Sequence, residues 1–213
     1  MTDERIDKAL HHYERAVFAG DASGLDAADR DLDRVEADLA LARGRILHAR
    51  FLRDRTAEDP HELGLFERAA QLYQAAGDGR GEGEARFWVG TFHQVVRNDS
   101  DTALPALERS RELATEAGDK LTLSYALRHL GIYEHAAGRL DAARDLLEES
   151  VRLRREIGFL PGVAANLVGL AYVALAQDRR KDAAALIEEA SAVAEASGAH
   201  GIMPHIEEAR TQT

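Results

Sequence analysis

LFERAAQLYQAAGD (Leu65–Asp78), ALERSRELATEAGD (Ala106–Asp119), LLEESVRLRREIGF (Leu146–Phe159) and LIEEASAVAEASGA (Leu186–Ala199) align with one another without a gap. Each carries apolar residues at helical spacing and runs into a glycine: Gly77, Gly118, Gly158 and Gly198, at steps of 41, 40 and 40 residues. A period of this length marks an array of supersecondary units. Each is too small to bury its own apolar face and is completed by its neighbour. The sequence therefore predicts an all-α protein, an α-solenoid of stacked antiparallel helix pairs.

Working outward from the third segment, each unit has room for two helices. Leu121–Ala137 places Leu123, Leu127, Leu130 and Tyr133 at helical spacing, and Gly138-Arg139-Leu140 makes a turn. Asp141 is expected to cap a second helix that keeps Leu146, Leu147, Val151 and Leu153 for the core. Gly158 is expected to end it in the left-handed conformation that helix C-termini favour. The next unit repeats the plan with Leu167, Leu170 and Val173, a turn at Asp178–Lys181, and Asp182 as cap. Pro161 falls in a first helical turn, where a missing N–H costs nothing. Small residues recur as well: Ala103, Ala143 and Ala183 early in the second helices, and Gly90, Gly131 and Ala171 in the first. They predict close approach of the two helices of a pair.

Three parts are expected. Residues 1–25 hold an N-terminal helix (Asp3–Ala19, with Ile6, Leu10, Tyr13 and Val17 on one side) that closes at Gly20 and packs on the array. Residues 26–200 hold about four helix pairs. Residues 201–213 form a tail or short helix. Asp26–Arg55 reads as one long helix, acidic in its first half and basic in its second, which complements the helix dipole. Gly44 is the first-helix glycine of a degenerate first unit, and Thr56–His61 is a longer turn. The glycine-dense run Gly77–Gly83 is expected to be a flexible loop between units.

The formal charge of −11 argues against sequence-independent nucleic-acid binding, which needs a basic footprint. The chain has no cysteine, so thiolate chemistry and disulfides are out. Its most apolar run, Val163–Ala176, is shorter than the ~20 residues that span a bilayer. Met1–Lys8 has no apolar core of the kind a signal peptide carries. A cytoplasmic protein without a membrane partner is expected.

Leu127-x-x-Leu130-Gly131 followed by Gly138-x-Leu140-x-x-Ala143-x-x-x-Leu147 resembles the tetratricopeptide repeat, and the resemblance covers about Asp38 to Gly198. These units are longer than that family's usual ~34 residues, and glycines replace its proline near the unit's end. Units of this length are similar to those of kinesin light chain and of several bacterial signalling regulators. The resemblance implies a right-handed superhelix whose first helices line a concave groove. Such a groove commonly holds a peptide or a partner's helix, here expected in bacterial-type signalling or regulation. Carried over residue by residue, the groove positions are Asp38, Leu41, Arg45 and His48; Glu84, Phe87, Thr91 and Gln94; Tyr125, Arg128, Ile132 and His135; and Ala165, Val168, Tyr172 and Leu175. Phe87, Ile132 and Tyr172 would be apolar anchors, and Arg45 and Arg128 would orient an acidic group.

Catalysis finds little support. Nine histidines invite a metal reading, but no HExxH or comparable spacing exists. His129 and His135 stand six apart on different helix faces, and His205 lies in the tail. Neither a metal nor a cofactor is expected. The glycine-dense run lacks the Lys-Ser or Lys-Thr of a phosphate loop. Arg152, Arg154 and Arg155, with Arg179, Arg180 and Lys181, read as solvated helix faces. The leading reading is a non-enzymatic protein-interaction module. Two others stand beside it. One is a small-molecule sensor or helical-pocket enzyme that uses the aromatic and histidine lining. The other is self-association through Trp88 and the end helices.

Overall fold

The computed structural model describes residues 3–55 and 57–213. Met1, Thr2 and Thr56, the first residue of the expected longer turn, lie outside them. The described residues contain no strand. In chain order the elements are α1 (Glu4–Ala19), α2 (Leu25–Asp54), α3 (Glu62–Ala75), α4 (Gly79–Thr91), a π-helical turn (Phe92–Val96), α5 (Ser100–Glu116), α6 (Lys120–Ala136), α7 (Leu140–Glu156), α8 (Leu160–Ala176), α9 (Arg180–Ser197), one 3-10 turn (His200–Ile202) and α10 (Met203–Arg210). Helices pair as α2 with α3, α4 with α5, α6 with α7 and α8 with α9. Successive pairs stack through α3 on α4, α5 on α6 and α7 on α8. α1 packs on α2, and α10 folds back on α8 and α9.

The spacing residues explain the stacking. Gly77, Gly118, Gly158 and Gly198 adopt φ of 68°, 65°, 71° and 68°, the left-handed region that an L side chain resists. In the first two units the next residue starts the following helix. Asp78 accepts a hydrogen bond from Gly81 N, and Asp119 accepts from Leu121 N and Thr122 N. One Gly-Asp step thus closes one helix and caps the next. Within pairs, a Cβ on Gly90 would stand 2.6 Å from Leu107 Cγ and 3.2 Å from the Ala103 carbonyl oxygen. On Gly131 it would stand 2.9 Å from Leu147 Cγ and 3.3 Å from the Ala143 carbonyl oxygen. The recurrent small residues are the points where the two backbones come together.

The irregular step of 41 has a location. Gly90 to Ala103 is 13 residues, whereas Gly131 to Ala143 and Ala171 to Ala183 are 12. The surplus residue falls where Phe92–Val96 widens into a π turn, the usual form of a one-residue insertion in an α-helix.

Two local expectations are corrected. The run Gly77–Gly83 is not a loop, because α4 begins at Gly79 under the Asp78 cap. Its glycines serve close packing instead: a Cβ on Gly81 would stand 2.5 Å from Tyr73 Cδ1, and one on Gly83 3.1 Å from Leu113 Cβ. Asp141 and Asp182 do not cap. Their helices start earlier, after Arg139 and Arg179, and both aspartates lie in the first turn, where a negative charge still meets the helix dipole favourably. Trp88 is half-buried: it stacks on Phe66 at 5.6 Å between centroids and meets Phe87 edge-on at 5.1 Å.

Candidate functional site

The first helices of the four pairs wall a concave cavity of about 680 Å³. α2 contributes His48 and Leu52, with Arg55 just past its end. α4 and the π turn contribute Phe87, Trp88, Thr91 and Val95. α6 contributes Tyr125, Arg128, His129, Ile132 and His135. α8 contributes Pro161, Gly162, Ala165, Val168, Gly169 and Tyr172. Leu147, Arg154, Phe159, Ile202 and His205 complete the wall. Aromatic rings run along it from pair to pair. His48 meets Trp88 at 5.4 Å, Phe87 stacks on Tyr125 at 5.2 Å, and Tyr125 meets Phe159 edge-on at 5.9 Å.

A polar cluster lies against the α8 side of this wall. Arg154, 2% exposed, donates from Nη1 to the Gly162 carbonyl oxygen (2.7 Å) and to Asn166 Oδ1 (3.0 Å), and from Nε to Ser124 Oγ (3.2 Å). Its guanidinium lies 5.0 Å from the Tyr125 ring centroid and 5.6 Å from that of Phe159. Arg128, partly buried, donates from Nη1 to the Ala165 carbonyl oxygen (2.8 Å) and to the same Asn166 Oδ1 (2.9 Å). Asn166, fully buried, donates to Ser150 Oγ at 2.6 Å. Every acceptor here is neutral. Burial, and then the charge on Arg128, lowers the Arg154 pKa to about 9. Burial lowers that of Arg128 to about 10. Both stay charged at neutral pH, at an electrostatic cost.

Neighbouring groups are held neutral. Burial, then the charges of Arg128 and Arg154, pushes the His129 pKa down to about 3. Its Nδ1–H donates to Gln94 Oε1 at 2.6 Å, while Gln94 Nε2 donates to the His129 carbonyl oxygen at 3.1 Å. His48 Nδ1 lies 2.9 Å from Oε1 of the fully buried Glu62. Burial, then the Arg55 charge, lowers the histidine's pKa, and burial, then the charges of Asp59 and Glu58, raises the carboxyl's. Among the described residues no group of three or more His, Asp or Glu is placed to hold a metal ion.

Of the residues expected in the groove, His48, Phe87, Thr91, Tyr125, Arg128, Ile132, His135, Ala165, Val168 and Tyr172 line the cavity. Arg45 does not: it forms an ion pair with Glu84 and lies 5.5 Å from the Trp88 ring. Its charge is already matched. Gln94 is turned away by the π turn to grip His129. Leu41 is core, and Leu175 packs in the C-terminal core. His129 and His135 both reach the cavity, as does His205, carried back by α10.

Arg154, read from sequence as solvated, is the largest correction. Its signal lay in the repeat alignment. The equivalent positions hold Tyr73, Ala114, Arg154 and Ala194, all buried. Asn166 stands where the other units have Ala85 and Ala126, and Arg128 where they have Phe87 and Val168. All three polar departures from an apolar pattern meet in one cluster.

The family model described as tetratricopeptide repeat matches residues 85–156 and 126–196. Tetratricopeptide repeat protein 29 of Macaca fascicularis is 24% identical over 156 residues, which is 72% of this chain and 32% of that protein. This chain thus spans about a third of that relative's length. Among solved structures, BtubC (BKLC) from P. vanneervenii superposes with a TM-score of 0.53 at 14% identity, covering 91% of this chain and 88% of that one; the likeness is one of fold. With two overlapping matches, stacked hairpins and recurrent close-approach residues at matching positions, this chain belongs to the tetratricopeptide repeat family.

Proposed function

We propose that this chain is a non-catalytic interaction module that takes a segment of a partner protein into its concave face, in a regulatory setting. Tetratricopeptide repeats generally mediate protein–protein interaction. The observation that carries the reading is the cavity of about 680 Å³ walled by the first helices of all four pairs. It is continuous across units and rich in aromatic surface, which gives contact area at low conformational cost. Ile132 and Tyr172 are apolar anchors that remain partly exposed. Arg45 no longer belongs to the reading, because Glu84 occupies it.

Selection from a displayed random-peptide library tests this. Enriched peptides should bind the full chain and lose at least about tenfold in affinity to an Ile132→Asp, Tyr172→Ala double variant, as loss of two buried contacts implies. They should be indifferent to Arg152→Ala on the opposite, solvated face. No enrichment, or binding blind to the cavity variant, overturns the proposal.

A further inference from the structure

The protein carries a formal charge of −11, yet its cavity wall contains Arg55, Arg128 and Arg154 and not one aspartate or glutamate. The positive charge is concentrated. Arg128 and Arg154 share a single acceptor, Asn166 Oδ1, at 2.9 and 3.0 Å. Two like charges brought together away from bulk water repel strongly, and a buried charge without a counter-charge is among the least favourable arrangements a fold can hold. Packing alone does not require it, since the same positions in the other units hold Tyr, Ala, Phe and Val.

Donor capacity is also left over. Arg154 Nη2 is buried and has no hydrogen-bond partner among the described residues. Arg128 makes its hydrogen bonds through Nη1 alone. Across from it α8 presents the small residues Ala165 and Gly169 to the cavity. Gly162 is matched to the cluster: a Cβ there would stand 2.9 Å from Arg154 Cδ and 2.4 Å from Phe159 Cε1.

We propose that Arg128 and Arg154, bridged by Asn166, receive one oxyanion, a carboxylate or phosphate, from a ligand whose flat apolar body lies against Tyr125 and Phe159. The guanidinium fork suits either group through paired charge-assisted hydrogen bonds. Arg128 meets the oxyanion from the open side. Arg154 lies behind the Phe159 ring, which belongs to the short link between α7 and α8 and is half-buried, so it is the part of the cover able to turn. The inference rests on the concave face being a binding site. The oxyanion has two possible sources, a free small acid or an acidic or phosphorylated side chain of the captured segment.

The test uses the full chain and a pair of probes of the same shape, phenylacetate and its uncharged amide phenylacetamide, with phenyl phosphate as a third. Ionic strength is fixed with chloride, and melting temperature and calorimetric affinity are read. Phenylacetate, phenyl phosphate or both should raise the melting temperature at millimolar concentration, and phenylacetamide should not. Arg154→Met should weaken binding of the anion at least about tenfold. Arg128→Gln should do the same, and it decides the matter if circular dichroism shows Arg154→Met unfolded. Equal binding of acid and amide, no binding of either anion at tens of millimolar, or wild-type affinity in the folded variants overturns the inference. Selected peptides then separate the two sources. Displacement by phenylacetate places the oxyanion on the partner segment, and simultaneous binding makes it a free ligand. If the peptides bind but ignore both arginine variants while the small anion fails, only the oxyanion site falls. If no peptide is selected but the anion binds through Arg154, the partner-segment reading falls and the site remains.

Discussion

Tyr73 and Arg154 hold the same place in the first and third units, the last buried turn of a second helix, and each needs a glycine eight residues on. A Cβ on Gly81 would strike the Tyr73 ring at 2.5 Å, and one on Gly162 would come within 2.9 Å of the Arg154 side chain. In the unit between them the residue is Ala114, and the position eight residues on is Thr122, buried and unobstructive. A large side chain at this junction thus goes with a glycine at the start of the next helix. The two large residues differ at their tips. The Tyr73 hydroxyl donates to Asp38 Oδ1 at 2.6 Å, so its polar end has an anionic partner supplied by the chain. Arg154 reaches just as deep, carries a full charge, and finds only neutral oxygens. The comparison teaches that the fold can finish this junction by itself and, in the third unit, does not.

Three measurements break or sharpen that contrast. The largest effect is expected at Tyr73→Ala, which empties a buried aromatic site and removes one of Asp38's two donors, leaving Arg5. It should cost ~3–5 kcal/mol in urea unfolding, and a loss below 1 kcal/mol would show that the junction is not packed as described. Gly162→Ala and Gly81→Ala come next, each forcing its neighbour aside for ~1–3 kcal/mol. If either matches wild type in midpoint, the pairing of glycine with the large residue is incidental. The smallest change is expected at Arg154→Met without ligand. A side chain of similar length removes an unmatched buried charge, so stability should stay within ~1 kcal/mol of wild type. A loss as large as that of Tyr73→Ala would mean the guanidinium is a structural keystone and needs no anion.

Much of the architecture was readable because periodicity reports it repeatedly. Gly77, Gly118, Gly158 and Gly198 all end helices at positive φ. Gly90 with Ala103 and Gly131 with Ala143 mark true backbone approaches. Errors came where a local rule competed with that register. Glycine density at Gly77–Gly83 suggested a loop, yet the Asp78 cap and the need for clearance at Tyr73 made it the start of α4. Composition suggested a solvated Arg154, although alignment to Tyr73, Ala114 and Ala194 placed it inside. Ten of the sixteen expected groove positions line the cavity, since first-helix position alone predicts them, while Leu41 and Leu175 went to core and Asp38 to Tyr73 and Arg5. Arg45 and Gln94 were lost to partners, Glu84 and His129, that no spacing rule announces.

The π turn at Phe92–Val96 carries a practical corollary for anyone splicing these units. The third and fourth hairpins share a 12-residue span between their close-approach points and are interchangeable in length, whereas the second is longer by the residue coiled into that turn. A chimera that swaps the second hairpin for another must therefore drop one residue there. Such a chimera would lose the π turn and, with it, the Gln94–His129 contact that joins the second hairpin to the third.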